Sequence, residues 1–308
     1  MSVVVLTGGV GGAKLVLGLV HALPASEVTA IVNTGDDFVH LGLAISPDID
    51  TLLYTLAGKA NAAQGWGRAG ETWSFMEALR TLGGADWFAL GDGDLALHVL
   101  RTARRAAGEG LATITADFAR AWGIGATVLP MTDDPVATRL DTDEGLLDFQ
   151  HYFVERRCGP QVRSIAFAGA AAARPAAGVL AAIASPETRA ILIAPSNPYL
   201  SVDPILAVPG IREALAAAPA PVIAVSPIVG GKAVKGPTAK LMAEMGLAVS
   251  STTIARHYAG IVDGILVDAG DPPMELEMAQ ARADTLMTTI EDRIRVARAA
   301  LDLAAAIR

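Results

Sequence analysis

Within residues 2–37 the chain reads as strand, glycine-dense turn, helix, second strand and acidic turn. That order commits it to an open parallel α/β sheet. Residues 2–7 (SVVVLT) form a short continuous apolar run, the mark of a strand buried on both faces. Gly8-Gly9-Val10-Gly11-Gly12-Ala13-Lys14 follows, and an apolar helix is expected over 15–23. A second strand over 28–32 ends in Asn33-Thr34-Gly35-Asp36-Asp37, and Asp48 and Asp50 stand a few residues later. Strand, glycine turn and helix make an anion cradle, because N–H groups at a helix N-terminus point outward and carry partial positive charge. Acids just past the next strand lie beside that cradle at the carboxyl edge of such a sheet. A phosphate site next to carboxylates points to nucleotide chemistry with a divalent cation.

The glycine turn misses two common signatures. Gly9-Val10-Gly11 starts a dinucleotide fingerprint, but Lys14 stands where its third glycine or alanine belongs. A P-loop requires Gly-Lys-Ser/Thr, and the chain has Ala13-Lys14-Leu15. Four glycines in residues 8–12 exceed what a tight turn needs, which favours close approach to a phosphate through Gly9, Gly11 and Gly12. Asp36 and Asp37 can serve as turn residues, and Asp48 and Asp50 as first-turn helix carboxylates. Crowded near one sheet edge they repel unless a cation neutralises them, and magnesium suits hard oxygen ligands completed by substrate phosphates.

The 308 residues carry 24 Lys+Arg against 32 Asp+Glu, a net charge of −8, and no basic run. Nucleic acid is therefore not an expected partner. With 52% apolar residues the chain can fill a large core. One cysteine, Cys158, rules out an internal disulfide or a Cys-based zinc site and reads as an incidental thiol. No charged region precedes the first apolar run and no run is long enough for a bilayer, so a cytoplasmic location is expected.

Further along, helical patterns over 71–82, 94–107 and 115–122 are separated by glycine-rich turns, and strands are expected over 125–131, 136–140 and 145–149. The α/β rhythm then resumes, with helices expected over 176–184, 211–218, 240–245 and 290–307 and strands over 190–194, 222–225 and 264–267. The expected fold is a Rossmann-like, doubly wound, mostly parallel sheet. One α/β domain is read with its core in 1–64 and 159–308. A mainly helical insertion with a strand pair occupies 65–158. Leu90-Gly91-Asp92-Gly93-Asp94 precedes a helix in which Asp94 and His98 share a face at i, i+4. Pro195-Ser196-Asn197-Pro198 and Ser226-Pro227-Ile228-Val229-Gly230-Gly231-Lys232 each follow a buried strand, where such sheets bind ligands. The second loop continues through Lys235-Gly236-Pro237-Thr238, a further anion-binding candidate. Trp66, Trp73 and Trp87 offer rings that could stack on a flat substrate or fill core.

Taken in order, these segments resemble the 2-phospho-L-lactate transferase family (CofD, called FbiA in actinobacteria). The resemblance rests on the glycine turn, Asn33-Thr34-Gly35-Asp36-Asp37, Ile45-Ser46-Pro47-Asp48-Ile49-Asp50-Thr51, Trp66-Gly67 and Leu90-Gly91-Asp92. It continues through Leu129-Pro130-Met131-Thr132-Asp133-Asp134-Pro135-Val136, Ala194-Pro195-Ser196-Asn197-Pro198, Ser226-Pro227-Ile228 and Ala283-Asp284-Thr285-Leu286-Met287. It implies a magnesium-dependent step in making coenzyme F-420. In that step the deazaflavin alcohol Fo accepts a phosphorylated three-carbon acid from a guanylyl-activated donor, and GMP leaves. By matching position, Asp50 would meet the ribityl hydroxyl end of Fo, and Asp36 with Asp50 would hold the metal. The glycine loop, Asn33, Thr34, Ser196, Asn197 and the 226–231 loop, with Lys235, would line the donor side. Two positions depart from the family pattern: Gly93 stands where an arginine is usual and Leu97 where a threonine is usual. A homodimer is expected, its alanine-rich helices packing across a symmetry axis. The competing expectation is a non-catalytic, YvcK-like nucleotide-sugar-binding protein that shares the glycine turn.

Overall fold

Seven strands pair in parallel throughout the central sheet of the computed structural model, which describes residues 1–234 and 236–307. Their spatial order is Ala279–Ala283, Gly264–Asp268, Val222–Val225, Thr188–Ile193, Ser2–Thr7, Val28–Val32, Thr127–Pro130. The chain starts in the middle and builds outward in one direction, then returns to build in the other. The direction reverses between Ser2–Thr7 and Thr188–Ile193, and ligands of such sheets bind beyond the carboxyl ends of the strands at this reversal. The loops leaving those two strands are the Gly8 turn and Pro195-Ser196-Asn197.

Side chains alternate between two cores. Val3, Val5, Ala30, Leu192 and Leu266 face the Gly9–Ala22 and Ile290–Ile307 helices on one side. Val4, Leu6, Ile31, Ile193 and Val267 face the other core, with Val179, Ile205, Ile211 and Ile254 from helices there. Burial on both faces is why these strands read as unbroken apolar runs. Among the described residues no helix is long and apolar enough to cross a membrane.

The expected α/β class is the observed one. Boundaries differ in places that bear on the insertion. The strand expected over 125–131 is Thr127–Pro130, and it pairs with Val28–Val32 as the edge of the central sheet. That part of the expected 65–158 insertion therefore belongs to the core sheet. The two strands that follow it, Ala137–Thr142 and Gly145–Asp148, do pair, and Val162–Ala168 joins them as a third antiparallel strand. The Ser74–Thr81, Leu95–Ala106 and Leu111–Ala121 helices match the helical patterns to within a few residues.

Candidate active site

The first helix, Gly9–Ala22, starts directly after the strand, so Gly9, Gly11 and Gly12 lie in its first turn and not in a loop before it. A Cβ on Gly11 would stand 2.8 Å from the Pro195 carbonyl oxygen, and one on Gly12 2.7 Å from Ser196 Oγ. The glycines thus let this turn close onto the neighbouring strand-exit loop. Ser196 fastens the two: its Oγ accepts from Gly8 N at 3.2 Å and donates to Gly8 O at 2.8 Å. Gly8 at the N-cap position has no side chain to cap the helix. The first-turn N–H groups have no partner within the helix, as at any helix start.

Acidic residues crowd against this turn. Asp48 opens the Pro47–Leu56 helix and accepts from Gly9 N at 2.7 Å and from Asn33 Nδ2 at 3.0 Å. Asn33 Oδ1 accepts from Gly35 N at 2.8 Å, which shapes the acidic turn. Asp36 is buried, and among the described residues its Oδ1 has no hydrogen-bond partner; the nearby Thr34 Oγ1 has none there either. Asp37 accepts from Ser46 Oγ at 2.7 Å through Oδ2, while its Oδ1 stands unpaired. Burial, reinforced by the Asp48 charge, holds the Asp36 carboxyl well above the usual range. Burial likewise pushes Asp37 to about 8 and Asp48 to about 6.

Asp50, two residues further along the same helix and so on another side of it, has a different neighbourhood. The Arg101 guanidinium pairs with both of its oxygens, through Nη2 to Oδ1 and through Nη1 to Oδ2 at 3.1 Å. Arg101 is 1% exposed, among the most deeply buried large side chains in the protein. Its Nη1 also reaches Ala44 O at 3.2 Å and His98 Nδ1 at 3.3 Å. His98 Nε2 lies 3.3 Å from Asp94 Oδ2, and Asp94 Oδ1 accepts from the Tyr54 hydroxyl. The expected Asp94–His98 contact is present. Arg101 was not among the expected site residues, although Asp94, Leu97, His98 and Arg101 follow the i, i+3, i+4, i+7 spacing of one buried helix face.

The remaining expected residues divide by what already holds them. Asn197 Oδ1 accepts from Tyr199 N and Leu200 N, leaving its buried Nδ2 without a partner. Ser226 Oγ bonds Ile228 N and Ser251 Oγ, and Ser251 donates to Asp271. Gly231 N donates to the same Asp271 at 2.8 Å, so Ser226 and Gly231 are tied into the loop itself; Gly230 lies exposed in that turn. Lys235 lies outside the described residues. Asp92 accepts from Ser74 N and Phe75 N, capping the Ser74–Thr81 helix from a distance in sequence. At Gly93 the Arg68 guanidinium fills the space a side chain would take, and Glu71 binds both Arg68 and Gly93 N. Leu97 is buried in the core. Trp87 packs on His40 and His151, whereas Trp66 and Trp73 are exposed. Burial pushes the Cys158 thiol up to about 11, which disfavours the nucleophilic thiolate.

Among the described residues no group of three or more His, Cys, Asp or Glu side chains forms a ready-made metal cage. Magnesium does not need one, since it binds through one or two carboxylates plus substrate phosphates and water. Asp36 fits that use: among the described residues its buried Oδ1 has no partner, and the Arg101 guanidinium is taken up by Asp50. Asp50 fits it less well, because Arg101 occupies both its oxygens.

The family model for 2-phospho-L-lactate transferase CofD matches residues 3–305. A phosphoenolpyruvate transferase from Streptomyces griseus is 43% identical over 319 aligned positions, covering 100% of both chains. Its counterpart from Streptomyces coelicolor is 42% identical over 100% of this chain and 99% of its own. A solved structure of a UPF0052-family protein from Bacillus halodurans superposes with a TM-score of 0.64 at 18% identity, covering 97% of this chain and 98% of that one. That likeness shows the fold alone. With the family model spanning nearly the whole sequence and relatives above 40% identical end to end, the chain belongs to the CofD family of phospho-acid transferases.

Proposed function

We propose that the protein transfers a phosphoenolpyruvyl-type group from a guanylyl-activated donor to the terminal hydroxyl of Fo, releasing GMP, in coenzyme F-420 biosynthesis. The observation that carries this reading is the end-to-end 43% identity to a Streptomyces phosphoenolpyruvate transferase. In the transfer, the hydroxyl oxygen forms a bond to the acid-bearing phosphorus. The bond from that phosphorus to the bridging oxygen breaks, the bridging oxygen leaves with GMP, and the hydroxyl proton is released. Such displacements depend on alignment and charge neutralisation more than on covalent help from the protein.

The N–H groups of Val10, Gly11 and Gly12 in the first turn of the Gly9–Ala22 helix would donate to donor phosphate oxygens, Gly9 N being held by Asp48, with Asn197 Nδ2 as a further donor. Asp50, held by Arg101, would accept a hydrogen bond from the attacking hydroxyl and orient it. Magnesium, when bound, would be held by Asp36, with Asp48 beside it, and would neutralise charge on the diphosphate. We further propose a homodimer, to be checked by light scattering against twice the 31.7 kDa chain mass.

The test is a one-pot reaction of protein, Fo and guanylyl donors carrying phosphoenolpyruvate, phospholactate or phosphoglycerate, with magnesium or with EDTA. The expected result is magnesium-dependent GMP release fastest with the enolpyruvyl donor, and a matching mass gain on Fo. GMP release without a change in Fo mass would remove Fo as acceptor. No release from any donor, by protein that still binds the guanylyl nucleotide, would favour a binding role.

A further inference from the structure

Four ionisable side chains and one hydroxyl, mostly buried, run in a path from the insertion to the core: Tyr54, Asp94, His98, Arg101, Asp50, with Asp37 in electrostatic reach of Arg101. We propose that Arg101 is a positioning residue. From the Leu95–Ala106 helix it claims both oxygens of Asp50, fixes that carboxylate as the hydrogen-bond acceptor for the attacking hydroxyl, and withholds it from the cation that Asp36 faces. The proposal deepens the transferase reading and rests on it for the identity of the hydroxyl.

The geometry is specific to arginine. A planar guanidinium grips a carboxylate through two parallel N–H donors, which fixes the carboxylate plane as well as its charge. At 1% exposure Arg101 cannot reach a substrate, so any effect it has passes through Asp50. Arg101 is itself held: Nη1 donates to Ala44 O and to His98 Nδ1. Because a guanidinium only donates, His98 Nδ1 accepts from Arg101, and His98 Nε2 lies 3.3 Å from Asp94 Oδ2. That chain ties the rotamer of Arg101 to the start of its own helix. A divalent cation on Asp50 would be forced against the guanidinium, whereas Asp36, with an unpaired buried oxygen, is paired with no Arg or Lys among the described residues.

The experiment has two arms on the full chain. In the first, Mn2+ is titrated in the presence of GMP and free Mn2+ is followed by electron paramagnetic resonance. Asp36→Asn should weaken Mn2+ about tenfold or more, while Asp50→Asn and Arg101→Lys should leave it within about twofold. In the second, steady-state transfer is measured. Arg101→Lys keeps the charge but not the paired donors, and should lower kcat about tenfold with the donor KM unchanged. Arg101→Met strands a buried carboxylate and is expected to fold poorly. The double variant Arg101→Met/Asp50→Asn removes both charges, so recovery of its melting temperature without recovery of turnover separates folding from positioning. The proposal is overturned if Asp50→Asn weakens Mn2+ as much as Asp36→Asn, if the wild type binds no Mn2+, or if Arg101→Lys turns over like the wild type. A wild type inert with every donor would sink the transferase reading, and the Mn2+ arm would still decide whether Asp50 is withheld from the cation.

Discussion

A carboxylate withdrawn from water keeps its charge only where something positive stands close, and the acids at this sheet edge meet that condition unequally. Asp50 has Arg101; Asp36 and Asp37 have unpaired oxygens and raised proton affinity. The sign of the resulting pH dependence follows. In the unfolded chain these acids lose their protons near pH ~4. In the folded protein Asp48 holds its proton to about 6 and Asp37 to about 8. Over that window the native state binds more protons than the unfolded state, so their contribution is full below pH ~4 and lost as pH rises. Metal-free protein should therefore melt lower at pH 8 than at pH 5, by roughly 5 °C or more, and magnesium should restore much of the loss at pH 8. Thermal melts at both pH values with EDTA or magnesium check this; an Asp37→Asn variant should flatten the slope, and an unchanged slope would refute the assignment. Asp36, Asp48 and Asp50 could be picked out from sequence because each sits just beyond a strand or at a helix start. Arg101 could not, because Arg104 and Arg105 follow it on the same helix and composition does not tell a buried arginine from solvated neighbours.

At the scale of elements, the glycine turn was legible as a motif but not in its division of labour. Its excess glycine is accounted for first by packing: Gly11 and Gly12 face the Pro195-Ser196 backbone and side chain with no room for a Cβ. Gly18 plays the same part a turn and a half on, against the Arg293 carbonyl of the Ile290–Ile307 helix. Gly11→Ala presses a methyl group onto a carbonyl oxygen that cannot move without shifting a strand exit, and overpacking of this kind costs about 1–3 kcal/mol. Urea unfolding should show that loss, with transfer activity falling further than the fraction unfolded because the Ser196–Gly8 clasp opens. Equal stability to the wild type would show that the loop yields. The central strands were readable because burial on both faces leaves apolar runs such as Ala190-Ile191-Leu192-Ile193. Ala279–Ala283 (AQARA) was not, since an edge strand with one exposed face, built from alanine, carries no β-branched signal. Val162–Ala168 was hidden likewise by its exposed Arg163 and Ser164.

Across the whole molecule, stability is spread unevenly around the site. The floor is the seven-stranded sheet with a large apolar core on each face. The roof, residues 38–45 and 74–95, rests on a small cluster, Ile45, Met76 and Leu90, with Phe38 and Phe88 packed at its edge, while the Pro47–Leu56 helix between these segments is anchored in the large core through Ile49, Leu52 and Leu53. Residues 61–73 between them hold turns and bends, with Trp66 and Trp73 exposed. Segments with few buried contacts open at a smaller free energy than the core, so the roof should exchange its amide hydrogens well ahead of the sheet. The polar path from Asp50 to Tyr54 meets this segment at Asp94 and, through Arg101, at the Ala44 carbonyl, so a donor bound across the Gly8 turn and the acids would touch both parts. Since the chain carries a net charge of −8, an anionic donor must rely on helix N–H groups and a cation for its hold. Hydrogen exchange followed by mass spectrometry should therefore show protection spreading from 8–12 and 33–50 into 61–94 when guanylyl donor and magnesium are added together. Donor with EDTA should give little. Protection confined to 8–12, or equal with and without magnesium, would mean that the nucleotide binds the glycine turn alone and that the acids and the insertion take no part in holding it.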